Sequence, residues 1–149
     1  MKFIVIDPLQ MSVAFLDVDG DMLTLQRKLF GPDKGVDHGV LRPRDLGYVV
    51  YEFGLYEPPY QIGYWRIGKR LGAGTAIVYR FDMAGETVDA TIKDQREIAT
   101  KIRWLPTVDV IEREIAAGFV TRPEVVRYEG GKREVLWSWP SQSREHLRA

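Results

Sequence analysis

The chain has 149 residues, with hydrophobic residues at 45% and charged residues at 28%, and its 21 basic side chains balance 21 acidic ones. This composition is too apolar for a disordered chain, and the zero net charge argues against both a protein that coats nucleic acid through bulk charge and an acidic mimic of DNA, while leaving room for a local basic patch. The absence of cysteine excludes a disulfide scaffold or a thiolate metal site, and two histidines, His38 and His146, far apart in sequence, argue against a histidine-rich one.

The opening MKFIVIDP carries one Lys and a short apolar run closed by Asp7 and Pro8. It reads as a first strand, Lys2 to Asp7, covered on both faces, and not as a signal peptide. No apolar run approaches the roughly 18 residues of a membrane span, so a cytoplasmic protein without membrane contact is expected. Ser12 to Val18 is the second strand, and the short connection favours an antiparallel hairpin. Asp19-Gly20 is a turn. Asp21 then caps a helix with Met22, Leu25 and Leu29 on one face, stopped by Gly31 and Pro32.

Residues 31–47 are rich in Gly, Pro and charge and read as a long loop. Tyr48 to Phe53 is a strand, and Glu57-Pro58-Pro59 breaks the chain. Gln61 to Ile67 and Thr75 to Phe81 are two further strands joined across Gly68 to Gly74. Glu86 to Ala90 is short and extended. Lys93 to Lys101 predicts a short helix, and Trp104-Leu105-Pro106 interrupts. Asp109 to Ala117 predicts the best helix of this part, with Val108, Ile111, Ile115 and Phe119 on one face and Gly118 at its end. Val125 to Tyr128 and Glu134 to Trp139, around Glu129-Gly130-Gly131-Lys132, predict a terminal hairpin. The expected whole is a single α+β domain over residues 1–140, mainly antiparallel, with two or three helices and a C-terminal β-hairpin, followed by a polar tail at 141–149.

The stretch from Tyr60 to Asp82 is where the chain is expected to be organised. Tyr60, Tyr64, Trp65, Arg66, Lys69 and Arg70 interleave aromatics with cations. Aromatic faces stack a base, and Arg or Lys holds phosphate. Strand alternation puts Tyr64 and Arg66 on one face and Trp65 with Ile67 on the other, so one face is available as a ligand platform and the other as core. A half-buried strand with snorkelling cations is the plainer reading of the same residues. Gly63 to Arg70 fits the start of a phosphate loop. However, Arg70 stands where the Mg²⁺-binding Ser or Thr belongs, and no helix follows. Trp137 and Trp139 share a strand face, which suits core packing or a partner surface. A helix followed by a hairpin suits a winged helix, but Asp109, Glu112 and Glu114 on that helix would repel DNA.

Asp17-Val18-Asp19-Gly20, after the apolar run Val13 to Leu16, resembles the first motif of haloacid-dehalogenase-type phosphatases. That resemblance implies Asp17 as nucleophile and Asp19 as general acid, both helping to hold Mg²⁺. Asp21 stands where that family has Thr or Val, and the later motifs are missing. A polar turn before a capped helix accounts for the same residues.

The pieces FIVIDP, DVDGD, LTLQRKLFG and GAGTAIVYRFDMAGETVD, within residues 1–90, resemble an uncharacterised family of small phage and plasmid proteins (domain of unknown function 3846). The resemblance implies an accessory protein of phage or mobile-element origin, with a counter-defence role, and it supplies no catalytic residues. The leading expectation is a non-catalytic binding module without cofactor or metal. Its partner is a host protein or a small anionic ligand such as a nucleotide, held by Tyr60, Tyr64, Trp65, Arg66, Lys69 and Arg70. The alternatives are a Mg²⁺-dependent phosphohydrolase using Asp17 and Asp19, and a single-stranded nucleic-acid binder. Homo-oligomerisation is open to a neutral, aromatic-rich chain with exposed strand edges.

Overall fold

A computed structural model describes residues 1–32, 34–41, 45–56 and 62–141. The chain begins with β1 (Lys2–Asp7) and β2 (Ser12–Asp17), then α1 (Met22–Phe30), β3 (Val36–Leu41), β4 (Leu46–Tyr51) and a 3₁₀ turn at Gly54–Tyr56. Next come β5 (Tyr64–Ile67), β6 (Arg70–Ala73), β7 (Ala76–Phe81) and β8 (Thr87–Val88). The last third holds α2 (Ile92–Lys101), β9 (Arg103–Leu105), α3 (Val108–Ala116), β10 (Glu124–Glu129) and β11 (Lys132–Ser138). The expected α+β class, the three helices and the C-terminal hairpin are all present.

The main sheet runs β2-β1-β7-β4-β3, with β8 beside the end of β7, and every pairing in it is antiparallel. Strand alternation divides its side chains cleanly. Phe3, Val49 and Ile77 face α1, which contributes Leu25. Ile4, Ile6, Tyr48 and Val78 face the other way, onto Trp65, Ile67 and Ile98. β1 is therefore covered on both faces, and Phe3, Ile4 and Ile6 have no exposed surface.

Local chemistry sets the helix starts. Asp21 Oδ1 accepts from the Thr24 amide at 3.0 Å and begins α1, and Gly31, at φ +99°, ends it. Of the expected apolar face, Leu25 is buried and Met22 packs beside it, whereas Leu29 is exposed and Phe30 takes its place against the core. Thr91 and Asp94 form a reciprocal capping box at the start of α2, and Thr107 caps α3.

A second layer, β6-β5-β9, lies under α3 and the β10–β11 hairpin. Trp137 and Trp139 are core here, 5% and 1% exposed. Arg122 ties the layer together. It donates to both carboxylate oxygens of Glu112 on α3, and from Nη1 to the Trp139 carbonyl at 2.8 Å. Gly130 and Gly131, at φ +57° and +77°, make the two-residue turn of the hairpin that Gly-Gly predicts.

Three expectations change. Residues 36–41, expected inside a loop, form β3. Its sequence VDHGVL lacks a continuous apolar run, and it is ordered by six register pairs with β4. The strand at 64–67 does not pair with the one at 76–81. It pairs with β6, inside the expected connection, while β7 crosses to the centre of the main sheet. Arg103–Leu105, expected as an interruption, is β9 and pairs with β5. The break at Pro58 and Pro59, residue Tyr60, His146 and the tail beyond Ser141 lie outside the described residues.

Candidate functional site

β5 is the strand on which both layers meet. Trp65 and Ile67 point into the core of the main sheet, and Tyr64 points into the second core. The sharing of faces is as alternation requires, but both faces are covered. Trp65 is fully buried, and its Nε1 donates to the Gly74 carbonyl at 3.0 Å. Tyr64 is 2% exposed, and its hydroxyl accepts from Trp139 Nε1 at 3.2 Å. Neither ring offers a face to a ligand, so the expected stacking platform is core. Packing is close enough to require glycine opposite Trp65. A Cβ on Gly72, its register partner, would lie 2.0 Å from Trp65 Cε2.

Arg66, the next residue, is also engaged. Its Nε lies 3.2 Å from Glu114 Oε2 of α3, its Nη1 donates to the Gly68 carbonyl at 2.9 Å, and its guanidinium sits 5.5 Å from the Phe119 ring centre. The side chains of Arg66 and Glu114 are 15% and 20% exposed. Arg66 therefore joins the hairpin to α3 and is not presented to solvent as a free cation.

Lys69 and Arg70 differ. Ile67 and Arg70 close a two-residue turn with Gly68 first, at φ +59°, which suits a type II′ hairpin and leaves Lys69 exposed at its tip. Arg70 follows on β6. Its Nη1 donates to Tyr48 Oη at 2.8 Å, and its guanidinium lies 5.5 Å from the centre of the Tyr48 ring. Burial raises the Tyr48 pKa above the ordinary tyrosine value; the Arg70 charge and hydrogen bond pull against that rise, and Asp37 adds slightly to it.

These two cations border an open groove of about 750 Å³. Leu41, Leu55, Ile67 and Leu71 contribute apolar surface, and Val40 and Pro123 add to its walls. Lys101, the last residue of α2, supplies a third cation. Among the described residues no carboxylate lies within ion-pair distance of Lys69, Arg70 or Lys101, whereas Arg66, Arg80, Arg122, Arg127 and Arg133 are each paired with one. Sequence reasoning found Lys69 and Arg70 through their aromatic neighbours. It missed Lys101, whose only local signal is its place at the negative end of a helix dipole.

Comparison of the chain with protein-family models, curated proteins and solved structures yields no match.

The other candidate site is at the β2 edge of the main sheet, the edge opposite β3. Asp17 ends β2, an edge strand antiparallel to β1. Its side chain is 68% exposed and lies 3.5 Å from the N-terminal ammonium. Asp19 is exposed in the following bend. The phosphohydrolase reading needs two carboxylates converging at the carboxyl end of a parallel strand, and β1–β2 is an antiparallel hairpin. Among the described residues, no three His, Asp or Glu side chains gather as a metal site would need. The glycine-lysine motif at Gly63 to Lys69 is a strand and its turn, with no helix after it.

Proposed function

We propose that the protein is a non-catalytic binding module for a small anionic ligand with an apolar or aromatic body, of which a nucleotide is the representative, and that the groove beside the β5–β6 turn is its seat. The observation that carries this reading is the set of three cations that have no carboxylate partner among the described residues and border an apolar groove. The volume of about 750 Å³ is within the range of small-molecule sites, and such sites combine apolar lining with a few polar groups. Lys69, Arg70 and Lys101 would neutralise the anion. Leu55 and Leu71 would cover the ligand body, in place of the aromatic faces expected from the sequence. Arg70 is already oriented by Tyr48, so less side-chain freedom is lost on binding. A ligand of this kind suits the accessory role that the resemblance of residues 1–90 implies and the cytoplasmic location expected from the sequence.

Calorimetric titration with a nucleoside triphosphate, the corresponding nucleoside and inorganic phosphate tests the proposal. The nucleotide is expected to bind more tightly than either half alone, with affinity lost in the combined Lys69→Glu, Arg70→Glu and Lys101→Glu variant. Equal affinity in wild type and the triple variant would remove the groove as the seat. Native mass spectrometry of protein from its expression host, before and after denaturation, tests for a retained ligand outside that panel.

A further inference from the structure

The two edges of the main sheet are not alike. At the β2 edge, Gln95 of α2 donates from Nε2 to the Val13 carbonyl at 2.8 Å, so the helix covers part of that edge. The other edge is β3, paired with β4 on one side through six register pairs without a bulge.

The direction of its backbone groups follows from the flanking hydrogen bonds. The Glu52 amide donates to the Gly35 carbonyl at 3.1 Å, one step before the Val36–Tyr51 pair. Gly35, and by alternation Asp37, Gly39 and Leu41, therefore turn their N–H and C=O groups towards β4. The Phe81 amide donating to the Asp45 carbonyl gives β4 the matching parity on its β7 side. Val36, His38 and Val40 then turn their backbone groups away from the sheet. Among the described residues none of these groups has a hydrogen-bond partner.

We infer that this edge pairs with the same edge of a second copy, antiparallel and across a two-fold axis at His38, so that the main sheet continues through both chains. The sequence of β3 is self-complementary about that axis. Val36 falls opposite Val40 of the second copy, and Asp37 falls opposite Gly39. Every outward N–H and C=O from Val36 to Val40 gains a partner, and Val40, 59% exposed in the single chain, gains a β-branched neighbour. Moving the axis to Asp37 would oppose two carboxylates, and moving it to Gly39 would oppose Asp37 and Leu41. Native edges that avoid pairing carry charged side chains, Lys above all, Pro, a bulge or a cover. β3 has no Lys, Pro or bulge, and its one carboxylate, Asp37, falls opposite Gly39 and not opposite a like charge. With 21 charges of each sign, two copies meet without net repulsion.

The test is sedimentation equilibrium of the full chain, with amide hydrogen exchange read residue by residue. The wild type is expected to dimerise, and the Val36, His38 and Val40 amides are expected to gain protection as the dimer forms. His38 is exposed, so His38→Lys leaves the single chain folded. It places two ammonium groups face to face across the axis and is expected to abolish the dimer. His38→Glu is expected to do the same, and mixing the two variants is expected to restore association as a heterodimer. A wild type that stays monomeric at all concentrations overturns the inference, as does a dimer unaffected by His38→Lys or a mixture that does not re-associate. Protection of the three amides in the His38→Lys monomer would show the edge covered by its own chain, and would also overturn it.

Discussion

Arg70 and Tyr48 hold one another across the two layers: the guanidinium donates to the phenol oxygen at 2.8 Å and lies over the same ring. The contact places a full positive charge on the groove without spending it on a carboxylate. Arg70→Ala is expected to weaken binding of an anionic ligand by about tenfold, the size of one charge-assisted hydrogen bond at roughly 1.5 kcal/mol. Tyr48→Phe keeps the ring and is expected to cost less. Calorimetry on both variants distinguishes the charge from its support.

The same pair makes a prediction about titration. Burial raises the Tyr48 pKa, and Arg70 opposes that rise. Arg70→Ala is therefore expected to raise it further. Because the folded value lies above the unfolded one, Tyr48 contributes stability that is complete below the unfolded pKa and is lost as pH rises through the folded value. Ultraviolet difference titration, with Tyr48→Phe to assign the residue, checks the direction.

Gly72 and Gly39 each lie under an aromatic ring, but with different room for adjustment. A Cβ on Gly72 meets the fully buried Trp65 at 2.0 Å, so Gly72→Ala is expected to destabilise by about 3 kcal/mol, the upper end for overpacking. A Cβ on Gly39 meets the Tyr48 hydroxyl at 2.4 Å. Gly39 is on an edge strand, so Gly39→Ala is expected to cost nearer ~1 kcal/mol and to weaken ligand binding by displacing the Arg70 partner. Urea unfolding and ligand titration of the two variants separate these effects.

Asp94 is the one buried charged residue among those described, and Arg80 grips it with two hydrogen bonds, at 2.8 and 2.5 Å. Its side chain also accepts from the Thr91 amide. The Arg80 hydrogen bond is the largest cause holding its pKa below the ordinary value, against burial, and the Thr91 contacts add to the effect. The stability it contributes is therefore present above the unfolded carboxylate pKa and lost as pH falls through the lower folded value. Asp94→Ala is expected to cost about 3 kcal/mol, as breaking a buried pair does, and to flatten the acid limb of the stability profile. Urea unfolding across acid pH measures both.

Arg66 and Glu114 are close but poorly matched: Nε and Oε2 are buried, and neither has a hydrogen-bond partner among the described residues. Arg66→Leu leaves a carboxylate without its cation and is expected to destabilise by about 2–3 kcal/mol. The double variant with Glu114→Leu is expected to recover most of that loss. A double-mutant cycle in urea gives the coupling.

The sequence by itself determined what depends on a few neighbouring residues. The β1–β2 hairpin follows from two apolar runs close together, α1 from Asp21 and Gly31, α3 from its apolar spacing, and the terminal hairpin from Gly130-Gly131. Alternation also showed that Trp65 and Ile67 share a face opposite Tyr64 and Arg66. Tertiary structure alone decided that both faces of β5 are covered, because burial depends on α3, β11 and the main sheet, all distant in the chain. It decided that VDHGVL is a strand, because a polar edge segment gains its hydrogen bonds only when β4 lies beside it. It also brought Lys101 to the groove shared by Lys69 and Arg70. Local propensity acts over one or two turns of chain, whereas the charges that line a groove are brought together by packing, and no spacing in the sequence records that distance.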